Sequence, residues 1–252
     1  MMTKKPDFVA CQECALDPLC HPLPAEAVSN CDQPLSKCLE NYVLDNMERR
    51  RSICAGEAAY EQGEPVTAIY AVTSGAFKLF KQDQQEHKQL NGFRFPGELL
   101  GDEALAVASH PLSAIALSDS SVCAIPLDII RNISEAMPGF QQTFLSLIIQ
   151  QCFLAHQQLS DYVGLNSAEQ KLAAFLLHLS KRNTRCNGHP DTIVLQMSRT
   201  DIASYLGLRH ETLSRTLGKL QNEGLILAKG KHIQLLNRTI LSSLLSGNNI
   251  SA

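Results

Sequence analysis

LQMSRTDIASYLGLRHETLSRTLGKLQNEGLILAKGKHIQLL (195–236) decides how the whole chain is read. Ser198 stands three residues before Asp201, the spacing at which two side chains cap each other's backbone amides at a helix start. Ile202, Ala203 and Leu206 then share one face before Gly207, whose missing Cβ permits a backbone turn. In the next run Leu213, Leu217 and Leu220 fall inward, while Glu211, Ser214, Arg215 and Lys219 fall outward. Two short helices about a Gly-containing turn, the second polar and basic near its start, predict a DNA-reading helix-turn-helix rather than a plain helical hairpin. LILA, KGK and HIQLL follow as a two-stranded wing with Lys229 and Lys231 at its tip, placed to meet phosphates. Arg215 suits a bidentate pair with guanine, Glu211 accepts from a cytosine amino group, and Ser214 can contact either base type or a phosphate. A carboxylate on this face argues for base reading, since contacts to phosphate alone favour uniformly basic side chains.

Charge supports the same division of labour. From Gln196 onward seven Lys/Arg stand against three acids, a net +4, whereas the rest of the chain carries -7. A basic terminal unit on an acidic body suits a nucleic-acid contact confined to one face. Upstream, SAEQKLAAFLLHLSK (167–181) opens with an S-x-x-Q capping box and predicts a helix, and IVLQM (193–197) a strand leading into the terminal unit. His178 and His189, near the end of that helix, lack a second ligand at metal-binding spacing.

Before it, the stretch from Pro138 to Gly164 holds no internal Pro and no Gly beyond Gly139, and predicts one long helix. Leu145, Ile148, Cys152, Ala155, Leu159 and Tyr162 recur at alternating spacings of three and four, the seam of a coiled coil. A second stripe of Phe140, Phe144, Leu147 and Leu154 can pack on the preceding unit, leaving the first free to pair two copies of the chain. From Ser52 to Leu127 short strands alternate with turn residues: VTAIYAVT (66–73), Ser74-Gly75, AFKLFKQ (76–82), LSAIAL (112–117) and SVCAIPL (121–127). This spacing predicts a small β-barrel or sandwich.

The chain has 252 residues, 44% hydrophobic and 19% charged, the composition of a globular protein of two modest units. It contains no membrane-length apolar stretch and no secretory h-region, so cytoplasmic residence and no membrane partner are expected. Nine cysteines in such a chain point to metal or redox chemistry rather than disulfides. Cys11, Cys14 and Cys20 form C-x2-C-x5-C in a proline-broken segment that lacks a helical or strand period. Three thiolates leave a site one ligand short, and Cys31, Cys38, Cys54, Cys123 or His21 could complete it. Both an iron-sulfur cluster and structural zinc fit thiolates of this kind. No G-x-x-x-x-G-K, G-x-S-x-G or H-E-x-x-H is present, so an enzyme is not expected.

The β unit, long helix and winged helix-turn-helix, in that order, resemble the Crp-Fnr superfamily of transcription regulators. Within it, C-x2-C-x5-C, GFRFPGELLG, SVCAIP, MPGFQQ, AEQKLAAFLLHLSKR, LQMSRTDIASYLGL and ETLSR are similar to the oxygen-sensing fumarate and nitrate reductase regulators. The resemblance implies an α+β chain divided into a cysteine-rich cluster-binding segment (1–31), a cyclic-nucleotide-binding-like β-roll sensor (32–136), a dimerisation helix (137–166) and a winged helix-turn-helix DNA-binding domain (167–252). It implies a [4Fe-4S] cluster held by Cys11, Cys14, Cys20 and Cys123. The cluster would favour a homodimer under low oxygen, binding palindromic TTGAT/ATCAA-type double-stranded DNA through Glu211, Ser214 and Arg215 and acting on RNA polymerase. Arg209, His210, Lys219, Lys229 and Lys231 complete the expected DNA face, and His156 joins the seam residues at the dimer interface.

Two other regulators of the superfamily remain alternatives, one stabilised by zinc and one binding cyclic nucleotide. The second is disfavoured because Leu112 and Ser113 stand where those receptors carry an Arg-Ser pair for the cyclic phosphate. Arg209 and His210 replace smaller uncharged residues ahead of ETLSR, which implies a changed preference at the half-site flank. His156 replaces an acidic residue of the family, which implies a dimer less strictly gated by the cluster.

Overall fold

A computed structural model describes residues 47–136, 138–185 and 189–245. The expected segment 1–31, with Cys11, Cys14 and Cys20, lies outside these residues, as do Cys31, Cys38 and Cys186. The chain divides into two compact units, one ending at Cys152 and the other beginning at Phe153.

Eight strands of the first unit form two antiparallel four-stranded sheets. One holds β1 (Glu48–Ile53), β8 (Ser120–Pro126), β3 (Ala68–Ser74) and β6 (Leu99–Leu100), in that order. The other holds β2 (Ala58–Tyr60), β7 (Ser113–Ala116), β4 (Phe77–Gln82) and β5 (Lys88–Arg94). The strand-turn-strand expected about Ser74-Gly75 is therefore not a hairpin: β3 pairs with β8 and β6, while β4 pairs with β5 and β7. At Gly75 the chain passes from one sheet to the other with φ +78°, and a Cβ there would stand 2.0 Å from Ser120 Oγ. Only glycine fits that crossing.

Between the sheets, Ile53, Tyr60, Tyr70, Val72, Phe77, Leu79, Leu100, Leu112 and Val122 make one apolar cluster. A second cluster lies on the far side of β3 and β8. After Pro126 the chain turns into a helix the sequence reading did not anticipate, α1 (Leu127–Ala136), which buries Ile129, Ile130 and Ile133 against Ile69, Ala71, Leu99 and Ile125. Helix α2 (Pro138–Tyr162) adds Phe140 and Leu147 to the same cluster, with Phe144 and Ile148 at its margin. Each such side chain contributes about 1.5–3 kcal/mol on burial, enough to fix the base of α2 on the sheet.

In the second unit, α3 (Ala168–Arg185) begins as expected: Ser167 Oγ accepts from the Gln170 amide at 3.1 Å and Gln170 Oε1 from the Ser167 amide at 3.2 Å. It runs a turn beyond its expected end at 181. Then come β9 (Thr192–Val194), α4 (Arg199–Leu206), α5 (His210–Asn222), β10 (Ile226–Lys229), β11 (His232–Leu235) and α6 (Arg238–Leu245). The wing has three strands, because β9 pairs with β11 on the side away from β10. Leu172, Leu176, Ile202, Leu206, Leu213, Leu217, Leu220, Ile226 and Leu241 are buried in this unit.

Candidate nucleic-acid interface and sensor face

The capping box at Ser198 forms: the Asp201 amide donates to Ser198 Oγ at 3.0 Å, and the Ser198 amide donates back to Asp201 Oδ2 at 3.3 Å. Helix α4 ends on Gly207 in the left-handed region, φ 64°, and Lys171 Nζ donates to the Leu206 carbonyl at 3.3 Å. Helix α5 then starts with the Arg209 backbone extended and its side chain making no cap. Arg209, His210, Glu211 and Arg215 are exposed along its first turns, with Ser214 half-buried between them. Leu213, Leu217 and Leu220 hold the opposite face. Helix N-terminal side chains presented this way are those that reach base edges in a major groove.

Lys229 and Lys231 flank Gly230 at the exposed tip of the wing. Lys219 is placed differently from the other cations. Its Nζ lies 2.7 Å from Glu169 Oε1 and 3.9 Å from Glu223 Oε1, and the Glu169 hydrogen bond holds the ammonium pKa above its ordinary value. Lys219 thus ties α5 to the first turn of α3. His178, which has no second metal ligand at suitable spacing in the sequence, is satisfied by Asp161: its Nε2–H donates to Asp161 Oδ2 at 2.9 Å, and burial lowers its pKa.

On α2 the apolar surface splits in two. Leu145, Ile149, Phe153, Leu159 and, just past the helix end, Val163 leave between 57% and 80% of their surface open. Cys152, Ala155 and His156 are exposed among them. Two of the expected seam residues turn elsewhere. Ile148 packs at the edge of the sheet cluster, and Tyr162 sits edge-on to His178 and Tyr205, with ring centroids at 5.4 and 5.9 Å. In their place stand Ile149 and Val163, with Phe153 alongside. The open stripe runs Leu145, Ile149, Cys152, His156, Leu159, Val163, again at spacings of four and three. That alternative register was present in the sequence, but α2 is apolar on both sides, so spacing alone did not choose between them.

Cys123 is a free, half-buried thiol on β8, opposite Ala71 of β3. It packs with Leu105, Leu127, Phe144 and Ile148 around the cluster that seats α1 and the base of α2. Among the described residues no group of three His, Cys, Asp or Glu is arranged to hold a metal ion. Cys54 and Cys152 are the other free thiols there, and the Glu57 carboxylate beside Cys54 raises that thiol's pKa.

Apolar side chains line the interior of the β-roll. Leu112 is in the core, and the Ser113 hydroxyl accepts from the Gln62 amide at 2.9 Å. The His110 ring stacks on Tyr60 at 3.8 Å, the Tyr60 hydroxyl donates to Glu103 Oε1 at 2.5 Å, and the Gly101 amide donates to Tyr60 Oη at 3.1 Å. Half-buried Arg94 donates through Nε to the Leu99 carbonyl at 3.0 Å. Burial pushes the nearby Asp102 carboxyl up to about 6, against the pull of Arg94. Its folded pKa thus exceeds the unfolded value of 3.8, so the fold prefers the protonated form. The contribution of Asp102 to stability should therefore be fully present below about pH 4 and be lost as pH rises through 6. Asp102→Asn, which cannot ionise, is expected to gain roughly 1–2 kcal/mol at pH 8 and little near pH 4, read as thermal melting at both pH values.

Two family models match. The Crp-like helix-turn-helix domain covers residues 170–244, and the cyclic nucleotide-binding domain covers 50–136. The chain is 35% identical over 242 residues to the transcriptional regulatory protein btr of Bordetella pertussis, covering 95% of each chain. It is 33% identical over 237 residues to the fumarate and nitrate reduction regulatory protein of Escherichia coli K12, covering 94% of this chain and 90% of that one. Its fold is similar to that of FixK2 from Bradyrhizobium japonicum, with a TM-score of 0.69 and 28% identity, over 77% of this chain and 96% of the other. Among the described residues no helix is long and apolar enough to cross a membrane. Sequence likeness along nearly the whole length, joined to a β-roll and a winged helix-turn-helix, makes this chain a member of the Crp-Fnr family of DNA-binding transcription regulators rather than an enzyme.

Proposed function

We propose that this regulator reads oxygen through a [4Fe-4S] cluster held by Cys11, Cys14, Cys20 and Cys123, and binds TTGAT/ATCAA-type palindromic DNA as a homodimer when oxygen is low. The observation that carries the reading is the position of Cys123. A thiol without a disulfide, half open to solvent, packs on the same cluster as Phe140, Phe144, Leu147 and Ile148 of α2. The donor chemistry fits: an all-thiolate set suits iron-sulfur ligation, and such a cluster supplies a group that oxygen degrades. Cys123 would fasten the segment 1–31 to the sheet, so that gain or loss of this tie is felt at the base of α2. The opposite face of α2 bears the open apolar stripe, which would pair two copies.

In this reading segment 1–31 holds the cluster, 32–136 senses, 137–166 dimerises and 167–252 reads DNA. Arg215 and Glu211 read bases, Ser214 and the wing lysines set the register, and Arg209 and His210 face the flank of each half-site. The two α5 helices of a dimer reach successive major grooves together, which a monomer cannot do. RNA polymerase is the partner such a bound dimer acts upon, and the cytoplasm is where it works. Leu112 in the core, where a phosphate would need a guanidinium, supports this reading over cyclic nucleotide binding. Anaerobic purification followed by iron and sulfide assay tests it. About four iron and four sulfide per chain with visible absorbance are expected. Colourless protein with zinc in place of iron would overturn the oxygen-sensor reading.

A further inference from the structure

The open stripe of α2 is apolar at both ends and carries two metal-ligating side chains in the middle, beside Phe153. Leu145 and Ile149 precede, Leu159 and Val163 follow, and between them stand Cys152 and His156. Both are exposed, and neither makes a hydrogen bond or ion pair among the described residues. Their spacing is set by one unbroken helix: residues four apart face the same way, with Cβ atoms about 5–6 Å apart. On the coiled-coil spacing they occupy two neighbouring layers of the seam. A two-fold axis along the stripe brings each of them next to its own copy.

We infer that a pair of these chains binds one zinc ion between two α2 helices, through Cys152 and His156 of each copy. The inference rests on the dimer proposed above, because one chain supplies only two ligands and the site is incomplete without the second copy. Two thiolates and two imidazoles form a four-coordinate set suited to zinc, reached by Zn–S contacts of about 2.3 Å and Zn–N contacts of about 2.0–2.1 Å. On binding, each Cys152 thiol releases its proton to solvent as its Zn–S bond forms. Two thiolate charges then balance the two of the ion, and the centre of the seam is neutral. Without the ion, two thiols and two imidazoles would be drawn from water into an apolar interface without assured partners, at a cost. With it, all four are satisfied. Soft thiolate and imidazole donors also disfavour magnesium and calcium.

The test uses full-length, iron-loaded protein under anaerobic conditions, in which the cluster occupies the N-terminal cysteines. The protein is equilibrated with zinc chloride, freed of unbound ion by gel filtration, and assayed for zinc and by sedimentation. About one zinc per two chains is expected, with the dimer dissociation constant lowered about tenfold or more, since the ion binds only the paired state. Cys152→Ser and His156→Ala should still dimerise through Leu145, Ile149, Phe153, Leu159 and Val163, yet lose the bound zinc and the tightening. A wild-type dimer that retains no zinc, or a Cys152→Ser dimer that retains as much as wild type, would overturn the site alone. Iron-loaded protein that stays monomeric with and without zinc would overturn the dimer, and the site with it.

Discussion

Cys123→Ser is expected to yield a folded protein that holds almost no iron or sulfide and binds operator DNA at least about a hundredfold more weakly under anaerobic conditions. The substitution changes one atom at a half-buried position, so its cost to the fold should stay near 1 kcal/mol. A hydroxyl does not replace a thiolate as an iron ligand. Its effect on DNA binding is larger than its effect on stability because Cys123 shares an apolar cluster with Phe140 and Leu147 of α2. Thermal melting checks the fold, iron and sulfide assay the cluster, and fluorescence anisotropy the affinity. Melting like wild type alongside lost iron is the expected pattern, and retained iron would remove Cys123 from the ligand set.

Arg215→Ala is expected to weaken operator binding by about 10- to 100-fold, the 1–3 kcal/mol of a bidentate guanine contact, in each half-site. Binding to unrelated duplex should fall much less, so the ratio of the two affinities collapses. Arg215 is exposed on α5 and Leu213 and Leu217 hold the helix beneath it, so the fold is unaffected. Lys229→Ala is the useful contrast. At the wing tip it should weaken operator and unrelated DNA alike and reduce the salt slope by about one per chain. Lys219→Ala should act through its tie to Glu169 rather than through a phosphate.

The parts of this fold legible in the sequence are those fixed by local rules. Ser198 with Asp201, Ser167 with Gln170, and Gly207 announced helix ends that depend on residues three or four apart, and each forms. The recognition helix was legible because Leu213, Leu217 and Leu220 leave a single polar face. What escaped depends on residues far apart in the chain. Gly75 reads as a hairpin turn, yet Ser120, 45 positions on, is what presses against it and marks the crossing between sheets. Helix α1 is short and follows a strand without a cap signal, so Ile129, Ile130 and Ile133 are consistent with either element until the sheet they cover is known. On α2 Ile148 packs against the sheet cluster and Tyr162 against His178 and Tyr205, while Ile149 and Val163 stay exposed, and none of those partners is local to the helix. The polar chemistry behaved the same way: Asp161 and His178 find each other only after α2 and α3 have folded back.

In the proposed function one cluster governs one dimer and its DNA. The most direct test is an anisotropy titration of a single anaerobic, iron-loaded preparation on a duplex carrying TTGAT and ATCAA half-sites, repeated on the same sample after air has removed the cluster. Affinity is expected to fall at least about a hundredfold, with the iron gone and the protein sedimenting toward monomer. Undiminished affinity after complete loss of iron would contradict this function.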